Sequence, residues 1–220
     1  MKKLGVLTIG QSPRLDISPL FTEVLDNKVE VVERGALDSL DEEGLKNIQP
    51  RKNDTTYVSK LRNGAAIKIN KDKLLPLLQK ELDFLEDEVD MTMMLCTGDF
   101  PELSSNKLIL FPDKILNNIV NIVLNNGKLG LIIPLEEQKE KSTKKWRNLN
   151  LPLEIEASSP YENGDFKTPA MKLKERGVSL IVMDCMGYSK QQKEIVSYYS
   201  SLPVILSQSL VFSIAKEFSV

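Results

Sequence analysis

The apolar positions of this chain fall into short, nearly continuous runs separated by longer segments of helical period. The second half shows this most plainly. Residues 128–133 form an apolar run ended by Pro134, and a charged segment over residues 135–148 follows, read as an exposed helix carrying Trp146. Residues 153–157 alternate as a strand does, residues 166–176 have helical character with Gly177 as their stop, and residues 178–183 are apolar on nearly every side. A helix over 189–200, a strand over 203–206 and a last helix over 207–218 complete the half. Strands alternating with helices imply a parallel sheet covered on both faces.

The first half repeats this order: strand 4–9, helix 17–25, strand 29–33, long helix 72–86, strand 91–95. Its path from the first strand to the third is about 35 residues longer than in the second half, and residues 35–69 supply the excess. There, residues 57–61 and 65–69 flank Asn63-Gly64, a pair suited to the primed two-residue turn, so a β-hairpin or flap is expected. A strand over 107–111 and a helix on the Ile115, Ile119, Ile122 and Val123 stripe, ending at Gly127, join the halves. The expected fold is therefore α/β: two pseudosymmetric lobes, each a parallel sheet flanked by helices, with a β-hairpin insertion in the first. The lobes are placed at 1–105 and 106–206, with the final helix, 207–220, packing back on the first.

Charge and composition remove several function classes. Lys plus Arg number 29 and Asp plus Glu 31, a net charge of −2 with no basic block, so nucleic acid is not an expected partner. No run approaches the roughly 18 apolar residues of a membrane span, and the first apolar stretch is too short for a signal peptide. A soluble, cytoplasmic protein is expected, with self-association left open. There is no histidine, which rules out Ser-His-Asp triads, Cys-His dyads and imidazole bases. Neither a dinucleotide fingerprint nor a P-loop occurs, and no cofactor or metal is expected.

What remains is a pair of cysteines, the only two in the chain. Ligands of parallel α/β sheets gather at the carboxyl ends of the strands. Cys96 lies there in Leu95-Cys96-Thr97-Gly98, and Cys185 in Asp184-Cys185-Met186-Gly187, each two residues before a glycine that lets backbone approach a ligand. A single free cysteine commonly acts as a small hydrophobe. Two at equivalent places in two halves point instead to a shared cleft, where nearby N–H groups favour thiolate and a thiolate and thiol on opposite sides of one carbon can remove and return a proton. At the first strand's end Gly10, Gln11, Ser12 and Arg14 are suited to a carboxylate, or to a plain strand-to-helix turn. Asp184 is read as orienting a thiol or substrate, or as a loop residue. Asp38 and the Ser207-Gln208-Ser209 segment border the cleft or cap helices, and Arg51 and Lys68 are solvated.

Leu7-Thr8-Ile9-Gly10-Gln11-Ser12-Pro13-Arg14-Leu15-Asp16, Arg34-Gly35-Ala36-Leu37-Asp38, Ile132-Ile133-Pro134-Leu135-Glu136-Glu137-Gln138 and Met183-Asp184-Cys185-Met186-Gly187-Tyr188 together resemble AroM family proteins. The resemblance spans nearly the whole chain. It implies the aspartate/glutamate racemase superfamily, whose racemases and isomerases use one cysteine from each of two pseudosymmetric lobes. The superfamily's usual Cys-Asn-Thr and Cys-Thr-His contexts are replaced here by Cys96-Thr97-Gly98 and Cys185-Met186-Gly187. The expected function is a cofactor-independent racemase or isomerase acting on a small carboxylate, with Cys96 and Cys185 as acid and base, and Gly10, Gln11, Ser12, Arg14, Thr97, Gly98, Asp184, Met186 and Gly187 as substrate contacts. Alternatives within the superfamily are a decarboxylase with one cysteine as proton donor and an isomerase forming a thioether. Outside it stand a small-carboxylate binding or sensing protein without turnover, and a purely structural role.

Overall fold

The computed structural model describes residues 2–25, 29–161 and 164–219, with the side chains of Thr22 and Ser219 excepted. The chain divides into two compact units. One runs from the N-terminus to Pro112 and takes in the chain from Val211 onward, and the other is Asp113–Leu210.

The first unit holds strands β1 (Lys2–Thr8), β2 (Val29–Gly35), β5 (Met91–Met94) and β6 (Leu108–Leu110) in the order β2-β1-β5-β6, all parallel. Helix α1 (Ser18–Leu25) follows β1, and α3 (Lys71–Glu88) precedes β5, packing Leu74, Leu78, Leu82 and Leu85 against Leu7 and Met94. That spacing is the apolar stripe of an amphipathic helix. Phe212 stacks on Phe21 with ring centroids 5.2 Å apart.

The second unit holds β7 (Leu129–Ile133), β8 (Leu153–Ala157), β9 (Leu180–Met183) and β10 (Val204–Leu206). Their order is β10-β9-β7-β8, again parallel and the same as the first when read from the other edge. The sheet is buried on both faces: Leu131, Ile133 and Val182 join one core, Ile132, Ile181 and Met183 the other. Helices α4 (Pro112–Val123), α5 (Lys139–Trp146), α6 (Lys167–Glu175) and α7 (Lys190–Ser200) flank it, and α8 (Ser207–Ser219) leaves β10.

The register shows how closely the units repeat. Leu4 pairs with Met91 and Leu129 with Leu180. One residue on, Gly5 and Gly130 occupy equivalent places where the helix before the third strand presses closest. A Cβ on Gly5 would stand 3.0 Å from Val89 and 3.2 Å from Leu85, and one on Gly130 2.7 Å from Val178 and 3.3 Å from Leu173. Both central strands need glycine for one packing reason.

Three local features differ from the sequence reading. The segment over 135–148 is a 3-10 turn (Glu136–Gln138) and then α5, which is not wholly exposed: Ser142 and Trp146, four apart, turn inward and Trp146 is buried in the core. The hairpin is present as β3 (Thr56–Lys60) and β4 (Ala66–Asn70). Its turn is not the two-residue kind. Leu61 N–H donates to Ala65 O and Gly64 N–H to Leu61 O, with Gly64 at φ 85°, a three-residue loop closed by a left-handed glycine. Between β2 and β3 a short helix, α2 (Glu42–Asn47), is capped by the Asp41 side chain, too brief and too polar for periodicity to reveal.

Candidate active site

In each unit the backbone carries the end of the third strand past its neighbour in the same way. Leu95 N–H donates to Leu7 O at 2.8 Å, and Asp184 N–H donates to Ile132 O at 2.9 Å. Cys96 and Cys185 come next, both part-exposed thiols. Each sulfur accepts the backbone N–H two residues on, from Gly98 at 3.3 Å and from Gly187 at 3.4 Å. A donor aimed at sulfur favours its negatively charged form. Thr97 and Met186, between each cysteine and its glycine, are buried.

The residues after β1 are brought to the same end of the first sheet, but their polar groups are engaged within the chain. The Asp38 carboxylate accepts Ser12 N–H (2.7 Å), Ser12 Oγ (2.5 Å) and Gly35 N–H (2.8 Å), and Arg62 Nη2 bonds it at 3.0 Å. Gln11 Nε2 donates to Leu37 O, while Gln11 Oε1 accepts Arg62 N–H. The hairpin covers this turn, for a Cβ on Gly10 would collide with Lys60 O and Ser59 Oγ. It is fixed there by Arg62, whose Nε donates to Ser12 O at 2.7 Å.

Arg14 is buried, and its guanidinium meets Asp16 in a two-pronged pair at 2.9 and 2.8 Å, with Thr8 and Ser59 hydroxyls at 3.3 Å. Burial raises the Asp16 carboxyl, but the hydrogen bonds and charge of Arg14, with the charge of Lys60, outweigh it and hold the group below its ordinary 3.8. A depressed carboxyl contributes stability that is fully present above the ordinary value and is lost as pH falls through the lower folded one. Acid titration followed by circular dichroism should therefore show Asp16→Asn losing stability relative to wild type at pH 7, with the difference closing below pH 3.8.

Asp184 is held by groups the sequence did not single out. Lys145 Nζ lies 2.6 Å from one carboxylate oxygen and 2.7 Å from the other, and Trp146 Nε1 donates at 2.8 Å. This ties α5 to the residue before Cys185. Tyr188 is fully buried, its hydroxyl donating to Ser158 O at 2.8 Å. Burial first, then the neighbouring Cys185, Asp184 and Tyr161, push that phenol well above its ordinary value, so it remains a donor rather than a base. Ser207 Oγ donates to Met183 O and Gln208 Nε2 to Met186 O, so the start of α8 braces the Cys185 loop.

A family model described as AroM protein matches residues 4–219. The chain belongs to the AroM family. This AroM family chain is similar to a double mutant of arylmalonate decarboxylase in its liganded form, with 12% identity and TM-score 0.65, over 100% of this chain and 93% of that one. It is also similar to glutamate racemase from Aquifex pyrophilus (16% identity, TM-score 0.60, covering 98% and 83%). Aspartate racemase from Picrophilus torridus is a third such structure (13% identity, TM-score 0.59, covering 100% and 94%). At these identities the likeness establishes the fold alone. No curated protein matches the chain. Among the described residues no helix is long and apolar enough to cross a membrane.

Proposed function

We propose that this AroM family chain is a cofactor-independent racemase- or isomerase-like enzyme, acting on a small carboxylate by proton transfer at Cys96 and Cys185. The carrying observation is the equivalence of the two thiols. From Met91 to Cys96 and from Leu180 to Cys185 is five positions, counted from equivalent register pairs, and each sulfur accepts the amide of a glycine two residues later. One thiolate removes a proton from the carbon beside the carboxylate, and the other thiol delivers a proton to the opposite face. The carbanion between the two steps is stabilised through its carboxylate, for which Thr97, beside Cys96, is the proposed contact. Gln11, Ser12 and Arg14, engaged by Leu37, Asp38 and Asp16, shape the neighbouring turn. Asp184, engaged by Lys145 and Trp146, fixes the approach to Cys185. The fold neighbours support the general class, since aspartate, glutamate and arylmalonate are all carboxylates.

The test is exchange of the α-proton for solvent deuterium, followed by NMR in D₂O over a panel of amino, hydroxy, dicarboxylic and malonic acids. At least one compound is expected to lose its α-proton signal, or, for a decarboxylase, a malonate to lose CO₂ and gain deuterium. No exchange and no CO₂ with any compound, alongside thermal stabilisation by one of them, would replace the enzyme with a carboxylate-binding protein.

A further inference from the structure

The connection from the second strand to the helix before the third is where the two units differ most. In the first it carries α2 and the β3-β4 hairpin, while in the second the described residues between β8 and α6, 158–161 and 164–166, form no helix or strand. Yet both connections place a tyrosine on the glycine whose N–H meets a cysteine sulfur. A Cβ on Gly98 would stand 2.7 Å from Cε1 of Tyr57 and 2.8 Å from its Cζ and hydroxyl oxygen. One on Gly187 would stand 2.5 Å from the hydroxyl oxygen of Tyr161 and 2.8 Å from its Cε1 and Cζ. Real Cβ atoms do not approach this closely, so the hydroxyl-bearing edge of each ring closes the space beside a glycine Cα and leaves room for hydrogen alone. Tyr57 is buried and packs on Phe100, ring centroids 5.2 Å apart. Tyr161 is part-exposed, its own N–H donating to Ser159 Oγ.

We infer that Tyr57 and Tyr161 are positioning residues, each wedging a glycine so that its N–H stays aimed at Cys96 or Cys185 Sγ and favours the thiolate. An i to i+2 contact from backbone N–H to sulfur depends on the torsions of the cysteine and of the one residue between, Thr97 or Met186, and the peptide plane that carries the N–H ends at the Cα of the glycine. A flat, rigid ring against its Cα supplies the restraint that a Cβ would otherwise give. Two differently built connections converge on one contact, as expected if the contact serves the thiol rather than the local fold. Two of the three contacts at each glycine are ring carbons, which phenylalanine keeps, so it should substitute for Tyr161, while at Tyr57 it also removes the hydroxyl's bond to Asp99 O at 3.5 Å. The place of this contact in turnover rests on the proton-transfer reading, whereas its effect on the thiols does not.

The experiment is alkylation of the native protein by iodoacetamide across pH 5 to 10, with Cys96 and Cys185 followed separately by peptide mass spectrometry. A change in access scales the whole rate curve, while its midpoint reports ionisation of the thiol. Tyr161→Ala is expected to raise the Cys185 midpoint by about one pH unit and leave that of Cys96 in place, with Tyr161→Phe matching wild type. Gly187→Ala, which drives a methyl into the ring, should raise the same midpoint. Tyr57→Ala and Gly98→Ala should act correspondingly on Cys96. If removal of the buried Tyr57 unfolds the hairpin, the Tyr161 and Gly187 variants decide. Midpoints unchanged in Tyr161→Ala, or shifted as far in Tyr161→Phe as in Tyr161→Ala, would overturn the inference. Wild-type alkylation midpoints with no α-proton exchange on any acid would bear on the proton-transfer reading alone.

Discussion

Replacing Asp184 with alanine should destabilise the protein by about 3 kcal/mol or more in urea unfolding, the range expected when one partner is removed from a buried ion pair. The Asp184 side chain is 2% exposed and that of Lys145 11%, so the pair lies almost wholly out of water. Losing the carboxylate leaves the Lys145 ammonium and the Trp146 indole N–H without the acceptor they share. The damage is not confined to stability, because Asp184 immediately precedes Cys185 and its backbone closes the pairing of β9 with β7. A double variant, Lys145→Met with Asp184→Leu, should recover much of the lost stability, since apolar groups of similar volume often replace a buried pair at little cost. It should not recover a correctly placed Cys185 loop. A loss below 1 kcal/mol for Asp184→Ala would mean that water reaches the pair and that α5 is not anchored through it.

That anchor illustrates what the sequence could and could not tell. Asp184 was visible as an acid beside a cysteine, with orienting a thiol, contacting substrate or serving as a loop residue all open to it. Its partners lie on α5, nearly 40 positions earlier, in a segment whose charges made it read as exposed. Periodicity over eight residues holds only two turns, and a single inward tryptophan does not register against four lysines in the same helix. The sheets were far more legible. Residues 91–94, 129–133 and 180–183 are buried at every position, and such runs announce central parallel strands without any long-range information. The internal repeat was legible for the same reason, and with it the equivalence of Cys96 and Cys185.

The site's immediate surroundings were less so. The Gly10-Gln11-Ser12 turn offers donors that suit an incoming carboxylate. In the fold the Asp38 carboxylate accepts those of Ser12, and nothing in local spacing reveals a contact made 26 positions away. Tyr57 and Tyr161 had no signal of their own, one being an ordinary β-strand aromatic and the other a loop residue. Gly98 and Gly187 were the available clue, for a glycine two residues after each cysteine implies that something comes close to its Cα. Here that something includes a ring of the chain itself.

The central claim is that two thiols work as acid and base on one carbon. It is tested most directly by measuring α-proton exchange in D₂O with Cys96→Ala and Cys185→Ala, using whichever acid wild type turns over and supplying each enantiomer separately. Both variants should keep wild-type circular dichroism and ligand-induced thermal stabilisation. Each should lose racemisation by about a thousandfold, the usual scale for removing a general acid or base. Any residual exchange should be confined to the enantiomer whose α-hydrogen faces the remaining thiol. Racemisation at the wild-type rate in either variant would contradict the two-thiol mechanism.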